Sequence, residues 1–150
     1  MIKRVDITNP ELVKDILNVQ TLAYKVEADI IGSDDIPPLQ DTVESLQQCG
    51  ERFYGYYVDE RLCGVISIKQ FDNVVDIHRL MVHPKTFRQG IAQQLLDFVE
   101  NNAEKDGIII VSTGTKNKPA VSFYLKNGFL KIEEKRVAEN LSLTTFIKKI

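Results

Sequence analysis

The sequence predicts an α/β fold, and three observations point to it. Apolar residues recur with a period of 2 in some segments and about 3.6 in others, and the two kinds of segment alternate along the chain. The run Ile108-Ile109-Ile110-Val111 is continuously apolar and bounded by Gly and Ser/Thr, as in a strand covered on both faces. The chain has 150 residues, 43% of them hydrophobic and 27% charged, which suits one ordinary core. No repeat and no long linker divides it, so residues 1–150 are expected to form a single domain.

Taken in order, residues 2–7 read as a short strand. Asn9-Pro10 is a helix start, a capping side chain followed by proline at the first helical position. Leu12, Ile16, Val19 and Ala23 then share one face, giving an amphipathic helix over residues 10–24. Residues 26–38, VEADIIGSDDIPP, read as irregular, and a weaker helix is expected over residues 39–48. FYGYYV, the turn DER and LCGVISIK form a β-hairpin rich in aromatic and β-branched residues. Residues 74–82 form the next strand, ended by His83-Pro84. The strongest helix follows Gly90, with Ile91, Leu95 and Phe98 on one stripe, and Gly107 is expected to close it. A strand from Ile108, a helix over residues 119–126 stopped at Asn127-Gly128, and strands over residues 129–137 and 141–147 complete the order.

Composition excludes several classes. The average residue usage is not that of collagen, low-complexity or disulfide-scaffold chains. Cys49 and Cys63 are too few for a secreted disulfide framework. No apolar run approaches the roughly 20 residues of a membrane span, and the N-terminal residues lack the apolar core of a signal peptide. A cytoplasmic protein with no membrane partner is the expectation. A net charge of -2 argues against a nucleic-acid partner. That total hides a gradient: residues 1–50 carry four basic and nine acidic groups, residues 101–150 nine basic and five acidic.

The chemistry concentrates in PKTFRQGIAQQLL, where a strand gives way to a loop and then a helix. Gly90 and Ala92 let a ligand approach the backbone, and the first-turn amides of a helix have no intrahelical acceptors. With the helix dipole, they make a site for phosphate or pyrophosphate. A dinucleotide GxGxxG or a P-loop is absent. Further on lies NKPAVSFYLKNGF, with Asn117, Ala120, Tyr124, Gly128 and Phe129 in the form N-x-x-A-x-x-x-Y-x-x-x-G-F.

Together these segments resemble the GNAT superfamily of acetyl-CoA-dependent N-acetyltransferases. The match to the family's [QR]-x-x-G-x-[GA] segment is partial: Phe87 holds its leading position, with Arg88 beside it. The resemblance implies an α/β (α+β) acyl-CoA N-acyltransferase fold. Its mixed central sheet has six to seven strands splayed between strands four and five, flanked by about four helices. It implies acetyl-CoA as co-substrate and no metal. The pyrophosphate would rest on the amides of the loop, with Phe87, Arg88, Gln89, Gly90, Ile91 and Ala92 as contacts. The pantetheine arm would run beside Leu80, Met81 and Val82 like an added strand, and Asn117 would hold it, an N-cap role for Asn117 being equally compatible. The resemblance also implies direct attack by an amine in a ternary complex, with Tyr124 as the acid for the departing thiolate. A Tyr that only packs, and a non-catalytic acyl-CoA sensor of the same fold, are the alternatives.

The base is open between Asp76, His78 and solvent. An alkylammonium must lose a proton before attack. Asp76 and His78 share a strand side by the period of 2, a side on which Leu80 and Val82 are also expected. The imidazole titrates nearest neutrality. No metal or acyl-enzyme chemistry is indicated, since no Cx₂C, HExxH or nucleophile elbow occurs. Residues 26–50 hold Glu27, Asp29, Asp34, Asp35, Asp41 and Glu44 and no Lys or Arg, a charge that would attract a small cationic amine or a peptide or protein amine. Lys116 and Lys118 would suit phosphates. Tyr24, Phe53 and Tyr54 are placed in either pocket or core. A homodimer through the final hairpin is left open.

Overall fold

The computed structural model describes residues 1–32 and 37–150. Strand β1 (Ile2–Val5) leads into helix α1 (Pro10–Ile31), which opens on Asn9, whose side chain accepts from Glu11 N at 3.0 Å. The helix runs seven residues beyond the expected end. Ala28 and Ile31 are buried and continue its apolar stripe, and no breaker occurs before Gly32. There φ is 73°, and the glycine N–H closes on Ala28 O at 2.9 Å. The segment read as irregular is therefore helical as far as Ile31, and Glu27 is a helix residue. Asp34 and Asp35 lie outside the described residues.

A 3-10 turn (Pro37–Gln40) precedes α2 (Val43–Gln48), a shorter helix than expected, started by a reciprocal Thr42–Ser45 capping box. Strands β2 (Arg52–Val58) and β3 (Arg61–Phe71) form the expected hairpin, and β4 (Val74–Val82) follows. Helix α3 (Ile91–Asn102) ends on Ala103, so Gly107 is not its cap. Glycine is needed there for a different reason: a Cβ would lie 2.6 Å from Asn73 O and 2.8 Å from Glu104 O. Strand β5 (Ile108–Gly114), helix α4 (Lys118–Lys126), and the hairpin β6 (Leu130–Ala138) and β7 (Leu141–Lys149) complete the chain.

The seven strands form one mixed sheet in the order β1-β2-β3-β4-β5-β7-β6, with β4 and β5 the parallel pair. Helix α3 and Tyr124 of α4 pack on one face, in a core with Ile66, Ile77, Ile109, Val111, Phe129 and Phe146. Helices α1 and α2 pack on the other, over Phe53, Val65 and Met81. Phe53 and Tyr54 both go to the cores, Tyr54 against Phe98 with ring centroids 5.0 Å apart. No helix among the described residues is long and apolar enough to cross a membrane.

Gly64 sets how closely α3 lies on β3. A Cβ there would sit 2.6 Å from Ile91 Cγ2 and 3.1 Å from Leu95 Cδ1, both on buried side chains. Gly64→Ala is expected to lower stability by about 1–3 kcal/mol through overpacking, read as a fall in the urea midpoint at unchanged slope.

Candidate active site

The site begins where two strands part. Strands β4 and β5 pair from Val74↔Ile108 to Ile77↔Val111 and no further. Beyond that rung β4 stays paired with β3 up to Val82↔Gly64, and β5 with β7 up to Gly114↔Leu143. The facing edges of residues 78–82 and 112–114 therefore carry no ladder between them, which leaves a wedge open in the middle of the sheet.

An extra residue sits at the opening. Ser67 pairs with Arg79 and Ile68 with Ile77, so His78 is a bulge on β4. A bulge bends its strand and shifts the alternation of side chains. Leu80 and Val82 thus pack in the α3 core with Ile77, while Met81 packs in the α1 core. This corrects the even period along β4: Leu80 and Val82 are not on the side of Asp76 and His78. His78 stays with Asp76, its Nε2 3.4 Å from Asp76 Oδ2 and its Nδ1 4.0 Å from Glu51 Oε2.

Past β4, a 3-10 turn (Pro84–Thr86) leads to Phe87, which is exposed. Arg88 has φ 64° and Gly90 φ 77°. Left-handed backbone at a non-glycine residue costs of order 1–3 kcal/mol and marks a constrained loop. The first rung of α3 is Gln94 N–H to Gly90 O at 3.0 Å, so the amides of Ile91, Ala92 and Gln93 precede it without intrahelical acceptors. Nothing lies within 4 Å of where a Gly90 Cβ would be. The loop is open and lined with main-chain donors, and its residues Arg88, Gln89 and Gly90 are exposed.

The other side of the wedge is α4. Asn117 caps it, its Oδ1 accepting from Ala120 N at 3.3 Å, while its Nδ2 donates to Glu27 Oε1 at 2.8 Å. Tyr124 is buried against Phe123, Phe129 and Phe146. Burial, then Tyr24 and Glu27, push its phenol well above the ordinary tyrosine range and keep it protonated. Burial likewise raises the Glu27 carboxyl, partly offset by the Asn117 hydrogen bond. Lys116 and Lys118 are exposed beside this helix start.

The α1 side holds an ion network that the sequence reading did not anticipate. Arg79, beside the bulge, meets Glu51 through Nε at 2.8 Å and Nη2 at 3.1 Å. Its Nη1 reaches Asp41 at 2.6 Å and Gln20 at 2.8 Å. Ser67 donates to Glu51 at 2.6 Å and Ser45 to Asp41 at 2.8 Å. Burial pushes both carboxyls up, but these bonds and the guanidinium outweigh it and hold them below the usual carboxylate range. Asp41 is thus held by Arg79, not poised toward an acceptor. The available signal was Arg79 itself, a guanidinium inside an otherwise half-apolar strand. Without the bulge, its side cannot be read.

A family model described as "Acetyltransferase (GNAT) domain" matches residues 25–150. The chain belongs to the GNAT acetyltransferase family, and the wedge between β4 and β5 with its glycine loop is the feature that defines the candidate site. UPF0157 protein YqkA of Bacillus subtilis is 44% identical over 135 residues, 90% of this chain and 39% of that protein, so the chain spans well under half of that relative's length. An acetyltransferase from Thermus thermophilus aligns with TM-score 0.77 and 17% identity over 100% of this chain and 97% of that one. PaiA N-acetyltransferase from Thermoplasma acidophilum, solved in complex with coenzyme A, aligns with TM-score 0.74 and 22% identity over 100% and 98%.

Glu51 and Arg79 side chains are only 5% and 11% exposed, so removing one partner strands the other. Arg79→Met is expected to cost about 3–5 kcal/mol at pH 7. Because both carboxyls are depressed in the folded state, their contribution is complete above the unfolded carboxylate range of about 4 and is lost as pH falls through the lower folded values. The penalty of the variant should therefore shrink in acid, as urea midpoints at pH 7 and pH 3 would read.

Proposed function

We propose that the protein transfers an acetyl group from acetyl-CoA to a primary amine, by direct attack in a ternary complex. The observation that carries this reading is the wedge: an open β4 edge, a loop of main-chain donors beyond it, and a buried tyrosine on the α4 side. Family membership supports acyl transfer, and the relative solved with coenzyme A supports the donor.

The residues present suit that donor. The amides of residues 88–92 would hold the pyrophosphate, with open space at Gly90 for close approach. Main-chain groups of Leu80, Met81 and Val82 would take the pantetheine arm as a strand takes a neighbour. Asn117 would reach it from the start of α4. Amides near Met81 and Val82 would face the carbonyl oxygen as charge develops on it. Tyr124 would donate its proton to the departing sulfur, a role for which a phenol is protonated at neutral pH without any shift.

The acceptor would come from the α1 side. There the strand face beside the wedge is polar: Asp76 and His78 on β4, and Ser112 hydrogen-bonded to Thr145 at 2.7 Å on the adjoining strands. With Glu27 on α1, this face favours a cation, such as a small polyamine-like molecule or a peptide or protein amine. Asp76 and His78 are a contacting pair on this face and add to its polar character.

Coenzyme A thiol release against a panel of amines tests this reading; amine-dependent release is expected, and release with none of them contradicts it. Tyr124→Phe should bind acetyl-CoA as the parent does and lose about 100-fold in kcat, the lower range of general-acid contributions. Full turnover by that variant would remove Tyr124 from the mechanism.

A further inference from the structure

We infer that Glu27, on helix α1, is the group that takes the proton from the acceptor amine, and that Asn117 aims it into the wedge. The inference deepens the acetyltransfer reading and rests on it.

Helices α1 and α4 lie against opposite faces of the sheet, yet Asn117 of the α4 cap bonds Glu27 of α1 at 2.8 Å. That contact occurs at the free end of β5. Asn117 N donates to Gly114 O at 2.9 Å, and a Cβ on Gly114 would sit 3.6 Å from Ile31 Cγ2 and 3.9 Å from Asn117 Cβ. Only where β4 and β5 have separated can side chains from both faces meet. Glu27 therefore reaches the opening from the acceptor side as Tyr124 reaches it from the donor side.

The orientation is determined, not incidental. Asn117 Oδ1 is engaged as the α4 cap, which turns its Nδ2 to the carboxylate. One Glu27 oxygen accepts that bond, leaving the second as an acceptor for a proton. On α1, Gln20, Tyr24 and Glu27 fall on one stripe at i, i+4 and i+7, and Gln20 is bonded to Arg79, so the helix is anchored two turns before the glutamate. Among the described residues, Tyr24 on its own helix and Tyr124 on α4 are the titratable groups that feel the Glu27 charge. Burial raises the Glu27 carboxyl above its ordinary value, in part against the Asn117 bond. Asp76, 45% exposed, sits on the closed rung opposite Ile110, with no such link to Tyr124.

The protons balance. Of the three on the ammonium, Glu27 takes one and later releases it to solvent. The nitrogen lone pair then forms the C–N bond as the C–S bond breaks. Tyr124 gives its phenolic proton to the sulfur and is refilled by a second nitrogen proton, and the amide keeps the third.

The test compares the parent chain with Glu27→Gln and Glu27→Asp. Glutamine keeps a carbonyl for Asn117, so the bridge and acetyl-CoA binding by calorimetry should persist. For Glu27→Gln, kcat is expected to fall about 100-fold at pH 7, with the deficit closing as pH approaches the free amine's pKa of about 10. Glu27→Asp, which retains a carboxylate, should lie between the two, and it carries the comparison if the glutamine variant does not bind acetyl-CoA. Turnover of Glu27→Gln within about threefold of the parent at pH 7, or a deficit constant across pH, overturns the inference while leaving acetyl transfer standing. If the parent itself releases no thiol with any amine, acetyl transfer and this role for Glu27 fall together.

Discussion

Strand β4 carries one residue more than β3 can pair, and the arrangement of the site follows from it. The bulge at His78 stands one residue beyond the last rung shared with β5. Bulges bend and twist a strand locally, and here the bend leads β4 away from its parallel neighbour while its other edge stays paired. The same extra residue reverses the side-chain alternation. It sends Leu80 and Val82 into the α3 core and turns Arg79 toward α1. One backbone irregularity thus makes the opening, lines one wall of it with apolar groups, and delivers a cation to the other.

That cation then organises the α1 side of the sheet. Arg79 ties Gln20 of α1, Asp41 just before α2 and Glu51 just before β2 to a single point on β4. Buried ion pairs add little net stability over apolar packing, but they tolerate few alternative arrangements. Here the network fixes where α1 crosses the sheet, and so where Tyr24 and Glu27 arrive. The positions of the wedge and of the helix that faces it are mechanically linked through this guanidinium.

The sequence made much of this legible. The element order, the glycine loop and the Asn117–Tyr124 segment are local patterns, so the fold and the family resemblance could be read from the sequence. The α1 side could not. The turn residues of GSDDIPP make residues 26–31 read as loop too, but the helix continues to the Gly32 cap, with Ala28 and Ile31 buried. A bulge has no residue signature in VVDIHRLMV, so an even period assigns Leu80 and Val82 to the wrong side. Gly107 looks like a helix cap and serves as a point of close approach to Asn73. The Glu27–Asn117 bond joins residues 90 apart in sequence, beyond the reach of any local pattern.

The most direct measurement of the central claim, that the parted edges of β4 and β5 receive the acyl donor, is residue-resolved amide hydrogen exchange with and without coenzyme A. The account predicts slowed exchange on β4 across Leu80, Met81 and Val82 and in the loop from Arg88 to Ala92, with the outer strand β6 unchanged. Protection confined to β6 or to the β2–β3 hairpin, with the edge of β4 exchanging as before, would contradict it.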